Sequence, residues 1–379
     1  MNFAFSEEQE MLRDTARRFL EDKSPTSAVR AQMETEDGFD RDLWSDIAAQ
    51  GWQAMAIPEE YGGAGFTFVE QAILMEEMGR ALFPAPFLST VVLGADLILT
   101  AGSDPQKQEL LPGIAAGERK VALAQLEHNG GWGPDGITMV AKRDGEDLIL
   151  SGTKSFVVDG HTADTLLVAV RTDEGSAGSD GISLLVVDGS ASGLNRRRLE
   201  TMDMTRKQAE LVFDDVRVPA SSILGQEGLG WDAIADTLTR AVVSLAFEQV
   251  GGAQMCLDMS VEYAKVRVQF GRPIGSFQAI KHKCADMLVQ VESAKSAAYY
   301  AGWAVVEESD ELPIVAPLAK SYCSEAYFHC AAENIQIHGG IGFTWEHDAH
   351  LYFKRAKTDE LLFGSPALHR SVLADRLGL

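Results

Sequence analysis

DLILSGTKSFVVDG, residues 147–160, is the stretch on which the reading of the chain turns. Upstream of it, apolar residues recur at threes and fours over 6–20, 40–51, 67–81, 86–102 and 104–116, the period of helices, with turn residues such as IPEEYGGAG at 57–65 between them. Around it, from about 120 to 222, the chain becomes short runs rich in valine, isoleucine and leucine: VALAQL, ITMVAKR, TLLVAVRT, GISLLVVDG and AELVFDDVRVP. Turns such as DGED and DGS separate these runs, so this part is expected to be an antiparallel β unit. From Trp231 the helical period returns over 231–268, 276–308, 313–340 and 347–376. The expected architecture is therefore α+β, with an N-terminal helical domain at 1–118, a central antiparallel β domain at 119–228 and a C-terminal four-helix bundle at 229–379.

Composition narrows the partners. The 379 residues carry a net charge of −23 with no basic cluster set against it, which argues against nucleic acid or an anionic membrane surface as a partner. No run approaches the roughly 20 apolar residues of a membrane span. The opening MNFAFSEEQEMLRDTARRFL is amphipathic and acidic from its first turn, unlike a secretory or organellar leader, so a cytoplasmic protein is expected. Cys256, Cys284, Cys323 and Cys330 lie in helical patterns without CxxC or zinc spacing and read as reduced structural thiols, with no metal site. TDEGSAGSDG at 172–181 reads as an exposed turn, and the long helices with wide apolar faces suggest a dimer or tetramer.

Five stretches, in order, resemble the acyl-CoA dehydrogenase family: IPEEYGGAGFTFVEQAILMEEMGR at 57–80, DGEDLILSGTKSF at 144–156, VRVPASSILGQEGLGW at 216–231, AKVRVQFGRPIGSFQAIKHKCADM at 264–287 and ENIQIHGGIGFTWE at 333–346. The resemblance covers nearly the whole chain. It implies two helical domains around a β domain, FAD at a subunit interface, and desaturation of an acyl-CoA thioester between Cα and Cβ. In such enzymes a carboxylate removes the α-proton and the flavin takes the β-hydrogen as hydride, with electrons passing on to an electron-transfer flavoprotein. The oligomer implied is a homodimer or homotetramer, or a heterotetramer with an unlike acyl-CoA dehydrogenase subunit.

The resemblance also assigns residues. Arg267, which can neutralise a pyrophosphate, is expected at the FAD together with Gln269, Phe270 and Gln278; the structural alternative is a surface turn with an exposed arginine. Gln336, His338, Gly339 and Gly340, where a helix runs into a diglycine turn, are expected at the adenine half. Phe156 stands where the family keeps an aromatic wall.

Elsewhere the chain departs from the family. LEHNGGWGPD at 126–135 replaces a TEPxAGSD-like stretch without its hydroxyl, and Val158 replaces a hydroxylated residue. The two places where the family keeps its carboxylate base read Phe363 and Thr239. Glu248, eight residues beyond Arg240 in an otherwise apolar run, is the candidate base, with a helix-packing salt bridge as its structural alternative. Arg240, where the resemblance places an arginine near the acyl-CoA site, is the supporting residue, expected to orient a partner's carboxylate or an acyl group, with capping of helix-end carbonyls as its structural alternative. Asp359 and Glu360 are expected on a solvated helix face. A chain that keeps the adenylate side and blurs the ring side resembles one subunit of the heteromeric actinobacterial enzymes that handle bulky, steroid-type acyl-CoAs. Two readings follow: an FAD-dependent acyl-CoA dehydrogenase in its own right, or a half-site subunit that completes the FAD cleft of a catalytic partner.

Overall fold

The computed structural model describes residues 5–379. The chain begins with α1 (Glu7–Lys23), α2 (Thr26–Met33), α3 (Arg41–Ala49) and α4 (Phe68–Ala81), followed by a π-helical stretch, Leu88–Ala95, that runs into α5 (Asp96–Ala101), and then α6 (Asp104–Ala115). The strands are β1 (Val121–Ala124), β2 (Ala141–Asp144), β3 (Asp147–Val158), β4 (Thr165–Arg171), β5 (Ile182–Asp188), β6 (Leu194–Arg198), β7 (Gln208–Pro219) and β8 (Ile223–Leu224). After them come α7 (Gly230–Val266), the hairpin β9 (Val268–Gln269) and β10 (Arg272–Pro273), and then α8 (Gln278–Val306), α9 (Leu312–His338), α10 (Ala349–Leu361) and α11 (Pro366–Leu377). The order is helices, sheet, helices, as the α+β reading requires. Among the described residues no helix is long and apolar enough to cross a membrane.

Contacts divide the chain into two units. The first holds the described residues up to Ala31, Thr67–Phe83 and Val242–Leu379 and is helical. Local chemistry fixes its boundaries: Ser6 and Thr67 open α1 and α4 with capping boxes completed by Gln9 and Glu70. Within this unit α4 and α7 approach backbone to backbone, because a Cβ on Gly79 would lie 2.0 Å from the Glu248 carbonyl oxygen and one on Gly251 would lie 1.8 Å from that of Glu76. The last predicted helix, 347–376, is two helices. Ser365 caps the start of α11, its Oγ accepting from the Leu368 amide with Pro366 as the first helical residue, and Phe363 and Gly364 take φ of 61° and 104° in the break. A Ser-Pro pair at a helix start was the available signal.

The second unit, Gln32–Phe66 and Pro84–Ala241, contains two four-stranded sheets, ordered β1-β4-β5-β8 and β2-β3-β7-β6. Leu166, Val168, Leu185 and Val187 of one sheet share a core with Leu148, Leu150, Leu211 and Phe213 of the other. The expected antiparallel pattern holds except at β1, which pairs parallel with β4 from Val121↔Thr165 onward, because the chain passes through the second sheet before returning beside β1. β4 is buried at every position. Arg171 at its end donates to the carbonyls of Ile137, Pro134, Gly178 and Asp180, which pins the exposed 172–181 turn.

Candidate active site

At one end of the helical unit, β9 and β10 form a two-residue hairpin whose corner, Phe270-Gly271, lies at φ 53° and 76°. This geometry leaves Phe270 92% exposed, with Phe277 edge-on at 6.0 Å and the Arg272 guanidinium 4.1 Å over the Phe277 ring. Arg267, Gln269 and Gln278 are exposed beside it. Tyr263, one turn before Arg267, stacks on His338 at 4.2 Å, so the hairpin and the end of α9 share a neighbourhood. His338 is buried, its Nδ1 2.8 Å from the Asn334 carbonyl, and burial holds its pKa below the ordinary value. Gln336, Gly339 and Gly340 are exposed, and Cβ atoms on either glycine would meet open space. An exposed guanidinium, a bare aromatic face and an unobstructed diglycine turn suit an anionic, aromatic ligand such as an ADP moiety.

Deeper in the same unit lies a buried polar cluster. Glu248 of α7 and Arg355 of α10 form an ion pair at 2.7 Å, with side chains 2% and 1% exposed. Asp359 is fully buried, which corrects the expected solvated face: Tyr352, Arg355, Ala356 and Asp359 form the inner stripe of α10 at helical spacing. Glu360 is only partly exposed and pairs with Lys357. Lys320 of α9 donates to the Asp359 and Glu360 carbonyls at 2.8 and 3.2 Å and to Ser324 Oγ at 3.0 Å, and burial pushes its ammonium down to about 8. It therefore ends α10 just before Phe363. From the other side, His369 Nε2 lies 2.9 Å from the Phe363 carbonyl, and burial next to Lys320 pushes this imidazole down to about 4. Gly252 gives Tyr327 its place, since a Cβ there would lie 2.3 Å from Tyr327 Cζ. Cys256, Cys323 and Cys330 are free and buried; Cys284 is free and partly exposed.

In the β-containing unit, Phe156 is 53% exposed at φ 53°, while Leu126 and Val158 are buried. Lys154 and Glu127 form a buried pair at 2.7 Å, and the Thr138 hydroxyl donates to Glu127. Burial pushes Lys154 down to about 8 despite its partner, while burial of Glu127 is outweighed by Lys154, which leaves that carboxyl below its usual range. The Thr138 hydroxyl is thus engaged internally. Arg240 is bidentate on Asp96 at 2.8 Å and donates to Thr100, while Thr237 also donates to Asp96. The Thr239 hydroxyl donates to its own helix at Ala235.

The candidate residues therefore fall into three groups: the adenylate set and Glu248 in the helical unit, and Phe156 with Arg240 in the other. Sequence reasoning missed Arg355, Lys320 and Tyr327. A charge interrupting an apolar helical stripe, as at Lys320 and Arg355, was the signal that could have found the first two.

The order of helices, two β-sheets and helices is that of a three-domain oxidoreductase fold, and the comparisons with known proteins identify which. Family models for the N-terminal, middle and C-terminal domains of acyl-CoA dehydrogenase match residues 6–118, 122–216 and 228–378. The chain is 38% identical over 364 residues to acyl-CoA dehydrogenase IpdE2 of Mycolicibacterium smegmatis, covering 95% of this chain and 96% of that one. Among solved structures it is similar to butyryl-CoA dehydrogenase from Megasphaera elsdenii, with TM-score 0.93, 28% identity and complete coverage of both chains. It is also similar to a chain of the ChsE4-ChsE5 complex from Mycobacterium tuberculosis, with TM-score 0.89, 28% identity and coverage of 100% of this chain and 99% of that one. The chain belongs to the acyl-CoA dehydrogenase family, and its cofactor is FAD.

Proposed function

We propose that this chain works in the α,β-dehydrogenation of a bulky, steroid-type acyl-CoA as one subunit of a heteromeric enzyme, lending its adenylate cleft to an FAD whose catalytic base comes from an unlike partner. The observation that carries this reading is the Glu248–Arg355 ion pair: the one carboxylate in the apolar run of α7 is held at 2.7 Å by a buried guanidinium, an arrangement suited to packing rather than to accepting a proton. Phe363, buried with its carbonyl near His369, supplies no base. Similarity to the ChsE4-ChsE5 complex supports an unlike partner.

In this reading Arg267 neutralises the pyrophosphate, Phe270 covers an aromatic face, Gln269, Gln278, Gln336 and His338 line the cleft, and Gly339 and Gly340 present backbone amides. Phe156 walls the ring, and Arg240, fixed by Asp96, supports the acyl site. When bound, the cofactor supplies the two-electron acceptor. An electron-transfer flavoprotein is the proposed onward acceptor, and the cytoplasm the proposed compartment.

The test is the visible spectrum of the chain purified alone and after co-expression with an unlike acyl-CoA dehydrogenase subunit, followed by anaerobic addition of acyl-CoAs that include bulky ones. The expected result is little flavin alone, and a flavin in the complex that bulky acyl-CoAs bleach. Flavin bound and bleached by the chain alone would overturn the half-site reading and return Glu248 to candidacy as the base of a homo-oligomeric dehydrogenase.

A further inference from the structure

The register between β3 and β7 slips between Lys154 and Val157, so Ser155 and Phe156 form a bulge. Within four residues the chain then places two non-glycine residues in the left-handed region, Phe156 at φ 53° and Asp159 at φ 54°. Each such placement is disfavoured by about tenfold for an ordinary L-residue, less for aspartate. Strained positions of this kind persist only where the surroundings over-determine them.

The surroundings do so at both ends of the bulge. At its start, Lys154 is fully buried on Glu127, and the Ser155 amide donates to the Leu126 carbonyl at 2.8 Å. At its end, the Asp159 amide donates to the Lys207 carbonyl at 3.1 Å, and the Asp159 carbonyl accepts from the Thr162 and Ala163 amides. The Asp159 side chain is gripped from outside the sheet: Ser89 Oγ donates to its Oδ2 at 2.7 Å. Ser89 sits in the π-helical stretch, every residue of which is buried. Its neighbour Thr90 is itself sewn to β1, its Oγ1 accepting from the Val121 amide at 3.1 Å, and Gly94 lies flush on Val121, whose Cβ would be 2.7 Å from an added Cβ. The π-helix is thus fixed to the sheet independently of Asp159 and acts as a rigid arm. π-Helical turns are rare and recur at functional sites.

We propose that Ser89 and Asp159 are positioning residues for the dehydrogenase reaction: the π-helix holds the Asp159 carboxylate, and that bond locks the left-handed bulge that turns Phe156 out of its sheet as the wall of the flavin ring. This rests on the reading of Phe156 as that wall. The role belongs to the side chain of Asp159 rather than to its charge, since asparagine tolerates the left-handed region and keeps an acceptor oxygen for Ser89.

The experiment uses the full chain with FAD, assembled with its partner subunit if the flavin requires it, and compares S89A, D159A, D159N and F156A. Amide hydrogen exchange reads the bulge, and the visible circular dichroism of bound FAD reads the ring environment. S89A and D159A are expected to speed exchange at 156–160 by about threefold to tenfold, the scale of losing a side-chain hydrogen bond. Exchange in β4 should be unchanged, which shows that the variants are folded. Both should shift the flavin dichroism in the same sense as F156A at unchanged FAD occupancy, and D159N should restore wild-type behaviour on both readouts. Unchanged exchange at 156–160 would overturn the proposal. Faster exchange with wild-type dichroism, where F156A does alter the dichroism, would also overturn it by showing that the clamp is local. If F156A itself leaves the dichroism unchanged, the failure lies in the assignment of Phe156 to the ring wall.

Discussion

Replacing Arg355 with methionine is expected to cost the helical unit about 3–5 kcal/mol, because it breaks a fully buried ion pair. Glu248 and Arg355 are 2% and 1% exposed at 2.7 Å, so removing either partner leaves the other as an uncompensated charge in a medium that water does not reach. Breaking such a pair costs about 3–5 kcal/mol. Both single variants, E248Q with its stranded guanidinium and R355M with its stranded carboxylate, should fall in that range. The double variant E248L/R355M, which keeps volume and removes the ionic problem, should return to within about 1–2 kcal/mol of wild type. Urea unfolding followed by far-ultraviolet circular dichroism, at fixed protein and FAD concentration, measures all four corners of the cycle. The reasoning also requires E248Q to keep substrate-dependent flavin bleaching. A stability-neutral E248Q that abolishes bleaching would refute it, because the carboxylate would then serve the reaction and not the packing.

Three further outcomes follow from the geometry. In the complex with the unlike subunit, R267A is expected to lower the 450 nm absorbance retained after gel filtration by at least half, because an exposed guanidinium beside Phe270 is the proposed pyrophosphate partner; undiminished occupancy would remove Arg267 from the cofactor site. His369 stays neutral in the folded chain down to about pH 4, whereas the unfolded chain takes up that proton near pH 6.5. Its contribution to stability is therefore constant above pH 6.5 and declines by about 3 kcal/mol as pH falls to 4, and H369Q should flatten that limb in a pH series of urea midpoints. G79A drives a methyl into the Glu248 carbonyl, 2.0 Å away, and should cost about 3 kcal/mol or more by the same urea assay; a cost under about 1 kcal/mol would mean that α4 and α7 slide apart easily.

The layered architecture was legible because period-3.6 and period-2 patterns report burial, and burial is what these layers share. DLILSGTKSFVVDG reads as a strand for that reason. Its bulge did not, because a register slip at Ser155-Phe156 depends on the partner strand β7 and leaves no local mark. The parallel pairing of β1 was hidden in the same way, since strand direction within a sheet is set by where the chain returns. The turn at Phe270-Gly271 was readable because a Phe-Gly corner is a local turn property. The fate of Glu248 was not, because its partner lies 107 residues away on α10. Asp359 was misjudged from its charged neighbours Lys357 and Glu360, which occupy the outer side of α10 while every third or fourth residue turns inward. Thr67-x-x-Glu70, by contrast, announced the start of α4 in four letters.

The contact of Gly79 with Glu248 has a consequence for how the chain comes off the ribosome. α4 is buried along its whole middle, from Gln71 to Gly79, yet the backbone it must seat against is synthesised about 165 residues after Phe83. At about 5–20 residues per second, that is a wait of roughly 8–33 s. During this interval the apolar residues Ile73, Leu74, Met75 and Met78, and the carboxylates Glu76 and Glu77 that the finished fold buries beside them, wait on a growing polypeptide without their seat, which makes Phe68 to Ala81 a segment of nascent chain that a chaperone would shield.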